Sequence, residues 1–181
     1  MFSQALWKSS DKIKEWFEGI RPIHQFGTFT YITDVPEQRA IKELKMFFDD
    51  IARERKEHIF IYYCWGSQRH RTEKKHGATH FHVLISYEGF HPNIPSNKSI
   101  ESKWWHRFSP KWVQSDTSEI AVVEGYNPNK RGVHYTILKH GYENWDLHVA
   151  CPHNQHRCNG KDRICHYEQS AELWRVETIT D

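Results

Sequence analysis

One apolar run, THFHVLIS at residues 79–86, constrains the fold more than any other stretch of the chain. Side chains alternate across a β-strand, so residues two apart share a face. His80 and His82 would therefore point to one side, while the apolar residues between and after them point to the other. The run predicts a strand with one apolar face and one face that carries two adjacent imidazoles.

Further strands and helices are predicted around this run. FGTFTYIT (26–33) and HIFIYYCW (58–65) are rich in aromatic and β-branched residues, which favours strands. Asp34 and Pro36 begin a helix of about 36–56, with an apolar stripe at helical spacing. The stripe consists of Ile41, Leu44, Phe48 and Ile51. Shorter strands are expected at 119–126 and 147–150. Further helices are expected in SSDKIKEWFEGI, SIESKWWHRF and VHYTILKHGYENW.

This order of elements predicts an α+β fold with helices over one sheet and one sheet face partly open. The strands 58–65 and 79–87 would form a hairpin with a long basic tip. A chain of 181 residues suits one main domain, which we place at 1–150. A Cys/His-rich extension, 151–181, would follow it.

Composition narrows the class of protein. The net charge of +2 gives no global signal for nucleic-acid binding, although a local basic patch is compatible with it. No segment approaches the ~20 apolar residues of a membrane span, and the N-terminus lacks a signal-peptide pattern. We therefore expect a cytoplasmic protein without a membrane partner, whose cysteines are thiols or metal ligands rather than disulfides.

His80 and His82 are candidate metal ligands. Neutral imidazoles bind divalent metal ions, and a site needs at least one further ligand. Glu73 lies upstream across the presumed hairpin turn, and His76 is a competing third ligand. In a chain with 14 histidines, the pair alone is also typical of ordinary core or surface positions.

Tyr135 and Lys139, in YTILK, are candidate catalytic residues because a spacing of four places them on one helical face. A phenol is a poor nucleophile at its usual pKa of about 10. A nearby cation and a metal-polarised phosphate would help it attack phosphorus. Tyr126 and Lys130 have the same spacing, but Pro128 between them predicts a turn. Taken alone, Tyr135 and Lys139 also fit an amphipathic helix end.

In their order along the chain, these motifs resemble the HUH endonucleases, in the single-tyrosine replication-initiator branch. The resemblance rests on the histidines in HFHVLI, the tyrosine and lysine in YTILK, and FGTFTYIT, which looks like the family's first strand motif. The run VVEGYNPNKRGVHYTILKH also resembles the approach to the tyrosine in plasmid and phage initiators. The likeness covers residues 26–141.

The resemblance implies a ferredoxin-like or RRM-like antiparallel sheet flanked by helices, with the metal site on its open face. His80, His82 and Glu73 would hold Mg²⁺ or Mn²⁺. Tyr135 would attack single-stranded DNA and form a 5′-phosphotyrosine link, while Lys139 would steady the phosphate or phenolate. The implied function is nicking and joining of single-stranded or hairpin DNA at a rolling-circle origin of a plasmid, phage or virus. The reverse step falls to the same tyrosine or to a second copy, so a homodimer is an expected partner.

Two segments are candidates for DNA contact. The tip RHRTEKKH is basic and could follow a phosphate backbone. The segment KWWHRFSPKW interleaves aromatic and basic residues, which suits stacking on unpaired bases. Solvated charges and core tryptophans are the alternatives. The candidate residues are Arg69, Arg71, Lys74, Lys75, Trp104 and Trp105.

The extension CPHNQHRCNGKDRICHYE could supply a four-ligand structural Zn²⁺ site, although it contains no Cys-x-x-Cys motif. Unliganded thiols are the alternative. The candidate ligands are Cys151, Cys158, Cys165 and one of His153, His156 or His166, with His166 as the first choice.

Two further functions fit the sequence. One is an HUH transposase that acts on transposon ends rather than on an origin. The other is a non-catalytic, zinc-stabilised nucleic-acid-binding module in which Tyr135 only packs.

Overall fold

The computed structural model describes residues 22–31, 35–67, 79–88, 93–109, 120–130 and 144–152. Two predicted helices lie outside these ranges: the one in SSDKIKEWFEGI, and the one that begins in VHYTILKH and is expected to end near Gly141. The described elements, in order, are β1 (Gln25–Thr30), α1 (Glu37–Arg55), β2 (Ile59–Ser67), β3 (Thr79–Tyr87), α2 (Asn97–Phe108), β4 (Ala121–Gly125), a 3-10 turn (Pro128–Lys130) and β5 (Trp145–Ala150).

The five strands form one antiparallel sheet in the order β4-β1-β3-β2-β5. The predicted α+β class with an antiparallel sheet is confirmed, as is the pairing of β2 with β3 as a hairpin. Strand β1 does not pair with the next strand along the chain; it pairs with β3 and β4. The His-x-His strand therefore lies at the centre of the sheet.

The two helices cover one face of the sheet. Alternate residues of β3, such as Phe81 and Val83, are fully buried against them. On α1, the predicted apolar stripe faces this core: Leu44 is fully buried, and Ile41 packs at its edge. Helix α1 spans one residue less at each end than predicted.

Among the described residues, no helix has both the length and the apolar character to cross a bilayer.

Helix α2 places Trp104 at the centre of this core, which contradicts its predicted contact with DNA. The helix begins two residues earlier than predicted because Ser96 caps it, accepting a hydrogen bond from the Ser99 N–H at 3.2 Å. Trp104 is 0% exposed, and its indole N–H donates to the Thr30 carbonyl at 3.0 Å. A side chain without accessible surface cannot stack on a base. The contact predicted for Trp105, which is half-buried beside the same core, stays a prediction.

Polar contacts from α1 and β2 hold the edge strand β5 in place. The imidazole of His148 lies 2.9 Å from a carboxylate oxygen of Asp49. Asp146 accepts hydrogen bonds from the Lys45 ammonium and the Tyr63 hydroxyl, each at 3.0 Å. Buried charges are costly unless they are paired, so these contacts favour one position of β5 along the sheet.

We expect Trp104→Ala to lower the free energy of unfolding by about 3–5 kcal/mol, because it removes a buried indole and leaves a cavity. The neighbouring variant Trp105→Ala should cost at most about 1–2 kcal/mol, since that side chain is only partly buried. Urea unfolding followed by circular dichroism measures both. Equal losses in the two variants would contradict the position of Trp104 in the core.

Candidate metal site

The sheet face turned away from the helices carries His80 and His82; we call it the histidine face. Leu84 continues the same row on β3 and packs with Tyr62 and Ile23 in a second, smaller apolar cluster. The expected openness of this face holds at β4, where Val122 is 53% exposed. It does not hold at the centre, where the two histidines are only 4% and 3% exposed.

The strand register determines the neighbours of each histidine. His82 pairs with Thr28 on β1 and with Cys64 on β2. His80 pairs with Thr30 on β1 and with Gly66 on β2. Because glycine has no side chain, β2 contributes only backbone beside His80.

The two imidazoles stand side by side in a geometry that suits a shared metal ion. Their ring centroids are 5.2 Å apart and their planes are nearly perpendicular, at 85°. With a metal–nitrogen bond of about 2.1 Å, each centroid would lie about 3.2 Å from the ion, and two such rings would be about 4.5–5.3 Å apart. The observed separation falls in that range, so the ring spacing is compatible with one shared ion.

The orientation of the His82 ring is set by two neighbours. Its Nδ1 lies 3.0 Å from the hydroxyl oxygen of Thr28, and the ring of Phe26 stacks on it at 5.9 Å. Metal-binding histidines usually donate their second ring N–H to a nearby oxygen, which fixes the tautomer. With Nδ1–H donating to Thr28, Nε2 is the nitrogen that would bind the metal.

The two imidazoles only partly match the ligand preferences of Mg²⁺ and Mn²⁺, the ions that the resemblance implies. Imidazoles are typical ligands of transition metals, whereas Mg²⁺ and Mn²⁺ favour oxygen ligands. A carboxylate third ligand, as predicted for Glu73, would bring the set closer to these ions. No group of three or more His, Cys, Asp or Glu that could hold a metal occurs within the described ranges. Glu73 and its competitor His76 lie outside them.

Several other predicted residues also fall outside the described ranges, so the structure does not place them relative to the histidines. Of the predicted zinc ligands, Cys151 is described; it follows β5 directly and is half-buried. The residues outside are Tyr135, Lys139, Arg69, Arg71, Lys74, Lys75, Cys158, Cys165, His153, His156 and His166.

The second tyrosine–lysine pair, Tyr126 and Lys130, is described and has the structure that its sequence predicts. Tyr126 precedes the 3-10 turn Pro128–Lys130, and Lys130 is the last residue of that turn, so the two share no α-helical face. Tyr126 packs against the cluster around Leu84. The Lys130 ammonium pairs with Glu124 at 3.0 Å at the surface.

Thr28, Phe26 and Gly66 are site residues that the sequence analysis did not single out. The alternation in FGTFTYIT does place Phe26 and Thr28 on one strand face. The residues that they would meet could not be inferred, because the pairing of β1 with β3 joins segments 54 residues apart at Thr28 and His82.

Comparison with known proteins gives no match, whether with family models, with curated protein sequences or with solved structures.

Proposed function

We propose that the chain is a metal-dependent HUH endonuclease that nicks and rejoins single-stranded DNA and so initiates rolling-circle replication. The observation that carries the proposal is the buried pair His80 and His82 at the sheet centre, at a spacing that one metal ion can bridge. Thr28 supports it, because its hydroxyl orients His82 as the neighbour of a metal-binding histidine would.

The strand arrangement is a second line of support. Among the described elements, the first four strands and the two helices follow each other as β-α-β-β-α-β, with the sheet order β4-β1-β3-β2. This order matches the ferredoxin-like arrangement that the sequence resemblance implies, and the match supports the proposal. A fold alone does not determine a function, so the proposal depends on the histidines and on the tyrosine motif rather than on the topology.

The proposed reaction is an exchange of one phosphate ester for another. The Tyr135 oxygen forms a bond to phosphorus, and the bond from phosphorus to the 3′ oxygen breaks. The phenol loses its proton and the leaving 3′ oxygen gains one, which gives a 5′-phosphotyrosine and a free 3′-OH. The ester link is conserved, so a later attack by a 3′-OH can rejoin the strands.

The roles of the remaining residues follow from charge. A divalent ion, when bound, supplies positive charge next to the phosphate oxygens on which negative charge develops. His80 and His82 would hold it, and the Lys139 ammonium would favour the phenolate of Tyr135 or steady the phosphate. The roles of Tyr135 and Lys139 are assigned from the sequence motif YTILK.

Covalent adduct formation tests the proposal. Incubation with a labelled single-stranded oligonucleotide library and Mn²⁺ should give a protein–DNA species that survives a denaturing gel. Tyr135→Phe removes the attacking oxygen and should abolish this species. Mass spectrometry of the nuclease-trimmed adduct should place the modification on Tyr135.

Tyr126→Phe is the matched control, because Tyr126 packs in the cluster around Leu84 and is not the proposed nucleophile. This variant should retain the adduct. An adduct that persists in Tyr135→Phe would refute the assigned nucleophile. DNA binding without any adduct in the unmodified chain would refute the enzyme and favour the non-catalytic module.

A second prediction concerns the hydroxyl of Thr28. Thr28→Val preserves the branched shape of the side chain but removes the hydrogen-bond partner of His82 Nδ1. Loss of such a partner typically costs about 10–100-fold in metal affinity. We expect the Mn²⁺ dissociation constant, measured by electron paramagnetic resonance, to rise by about this factor.

Thr30→Val is the control for this measurement. Thr30 lies on the same strand and pairs with His80, but no hydrogen bond joins its hydroxyl to that ring among the described contacts. Its substitution should change the dissociation constant by less than about threefold. Equal effects of the two substitutions would show that the Thr28 hydroxyl has no specific role.

A further inference from the structure

Three polar side chains meet at the opposite end of the central strands from the histidine pair. At Ile59, strand β2 is paired with β3 on one side and with β5 on the other. The residues that continue this row are His58, Cys151 and Glu88, although His58 and Cys151 are 93 residues apart in sequence. We call these three residues the strand-end cluster; all of them lie within the described ranges.

Glu88 holds the His58 ring in one orientation and one protonation pattern. The Nδ1 atom of His58 lies 2.6 Å from a carboxylate oxygen of Glu88. The two backbones are joined as well, because the N–H of Glu88 donates to the His58 carbonyl at 3.1 Å. A carboxylate accepts hydrogen bonds, so Nδ1 carries the proton, and the lone pair of the neutral ring is on Nε2.

The lone pair of His58 meets the thiol of Cys151. The sulfur lies 3.7 Å from Nε2, within the range of a hydrogen bond that involves sulfur. Because Nε2 is the acceptor, the thiol is the donor of this contact, and its proton can pass to the ring without rearrangement of either side chain. A carboxylate, an imidazole and a thiol in this sequence form the arrangement that activates a cysteine nucleophile.

The sulfur is held in place by paired strands at a position that solvent reaches. Cys151 follows β5 directly, and β5 is paired with β2 along Trp145–Ala150. The contact between His148 and Asp49 on α1 fixes this strand further. Cys151 is only half-buried, whereas Cys64 on β2 is 1% exposed. Of the two cysteines in the described ranges, Cys151 is therefore the one that a small reagent can reach.

We propose that Cys151 is a reversible modification site that forms mixed disulfides, with His58 as its base and Glu88 as the residue that positions His58. The reactant is a low-molecular-weight disulfide. This assignment takes Cys151 as an unliganded thiol, which is the alternative to the zinc ligand that the cysteine pattern predicts.

The exchange balances without any other reactant. The Cys151 proton passes to Nε2 of His58, and the sulfur attacks one sulfur of the disulfide, whose S–S bond breaks as the new one forms. The leaving sulfur departs as a thiolate and takes the proton back from His58. Cys151 is thereby oxidised, and the released thiol is the reduced product. The Glu88 carboxylate stabilises the imidazolium that exists between the two proton transfers.

Disulfide exchange is the thiol chemistry for which these three residues suffice. Acyl transfer by a cysteine also needs hydrogen-bond donors placed around a developing oxyanion. Exchange at sulfur needs an accessible thiol and a group that receives its proton. Both requirements are met by the strand-end cluster.

The strand-end cluster is independent of the proposed nuclease site. Glu88 comes six positions after His82, which corresponds to roughly 20 Å along a strand. The two sites share no residue. The thiol proposal therefore stands or falls separately from DNA nicking.

Peptide-resolved exchange with oxidised glutathione tests the proposal. The full chain is reduced, freed of reductant and incubated at pH 7 with the disulfide, and mass spectrometry of acid-quenched digests gives the rate at Cys151. A thiol without a base is only a few per cent thiolate at neutral pH. We therefore expect Cys151 to react about 10–30-fold faster than N-acetylcysteine, and His58→Gln to remove this advantage.

The pH profile separates loss of the base from general damage. At about pH 10 the solvent ionises a thiol with or without a neighbouring base, so the rates of the unmodified chain and of His58→Gln should converge there. Glu88→Gln should cause a smaller loss at pH 7, since an amide oxygen still accepts the Nδ1 hydrogen but lacks the charge that stabilises the imidazolium. His106→Gln, at an exposed histidine on α2, is the matched control and should leave the rate unchanged.

Three outcomes would overturn the proposal. One is an equal rate at pH 7 in the unmodified chain and in His58→Gln. Another is a deficit in His58→Gln that is as large at pH 10 as at pH 7, which would reflect lost access to the sulfur instead of a lost base. The third is a Cys151 that reacts only after treatment with EDTA, since it would then be a metal ligand. If the variants do not fold, the unmodified chain decides: a rate at Cys151 no higher than that of N-acetylcysteine refutes the site.

Discussion

The structure depends on the burial of β3 on both of its faces. All nine residues of this strand are buried, with apolar side chains toward the helices and two imidazoles toward the other side. A strand of this kind is stable only at the centre of a sheet, where both edges are paired and one face is covered by a hydrophobic layer. Strands β1 and β2 supply the edges, and α1 and α2 supply the layer.

The position of β3 also explains how the histidines acquire defined surroundings. Each lies between two neighbouring strands, so the residues beside it are set by register and not by a flexible loop. Thr28 is next to His82 for this reason, and Gly66 is next to His80. A site on paired strands is more rigid than one on loops, which favours a fixed geometry for metal ligands.

Much of this fold could be predicted from the sequence because its signals are local. Alternation predicted the two faces of β3, and helical spacing predicted α1 to within one residue at each end. The hairpin of β2 and β3 was predicted from the adjacency of two strands. Trp104 was misassigned because aromatic residues among basic ones are typical of both DNA-binding segments and amphipathic helices. Only its burial distinguishes the two.

The contacts that could not be predicted are the long-range ones. The pairing of β5 with β2 brings Cys151 to His58, and no pattern in either segment indicates the other. The cysteine pattern alone therefore favoured partners within the extension, whereas the structure places His58, the residue before β2, 3.7 Å from the Cys151 sulfur. Asp49 and His148, 99 residues apart, illustrate the same limit.

The central claim is that His80 and His82 together hold a divalent metal ion at the centre of the sheet. Anomalous diffraction at the manganese edge, from crystals of the full chain grown with Mn²⁺, tests it most directly. The account predicts one strong peak within bonding distance of ring nitrogens of both histidines. Full manganese occupancy elsewhere, with both imidazoles bonded only to protein atoms, would contradict it.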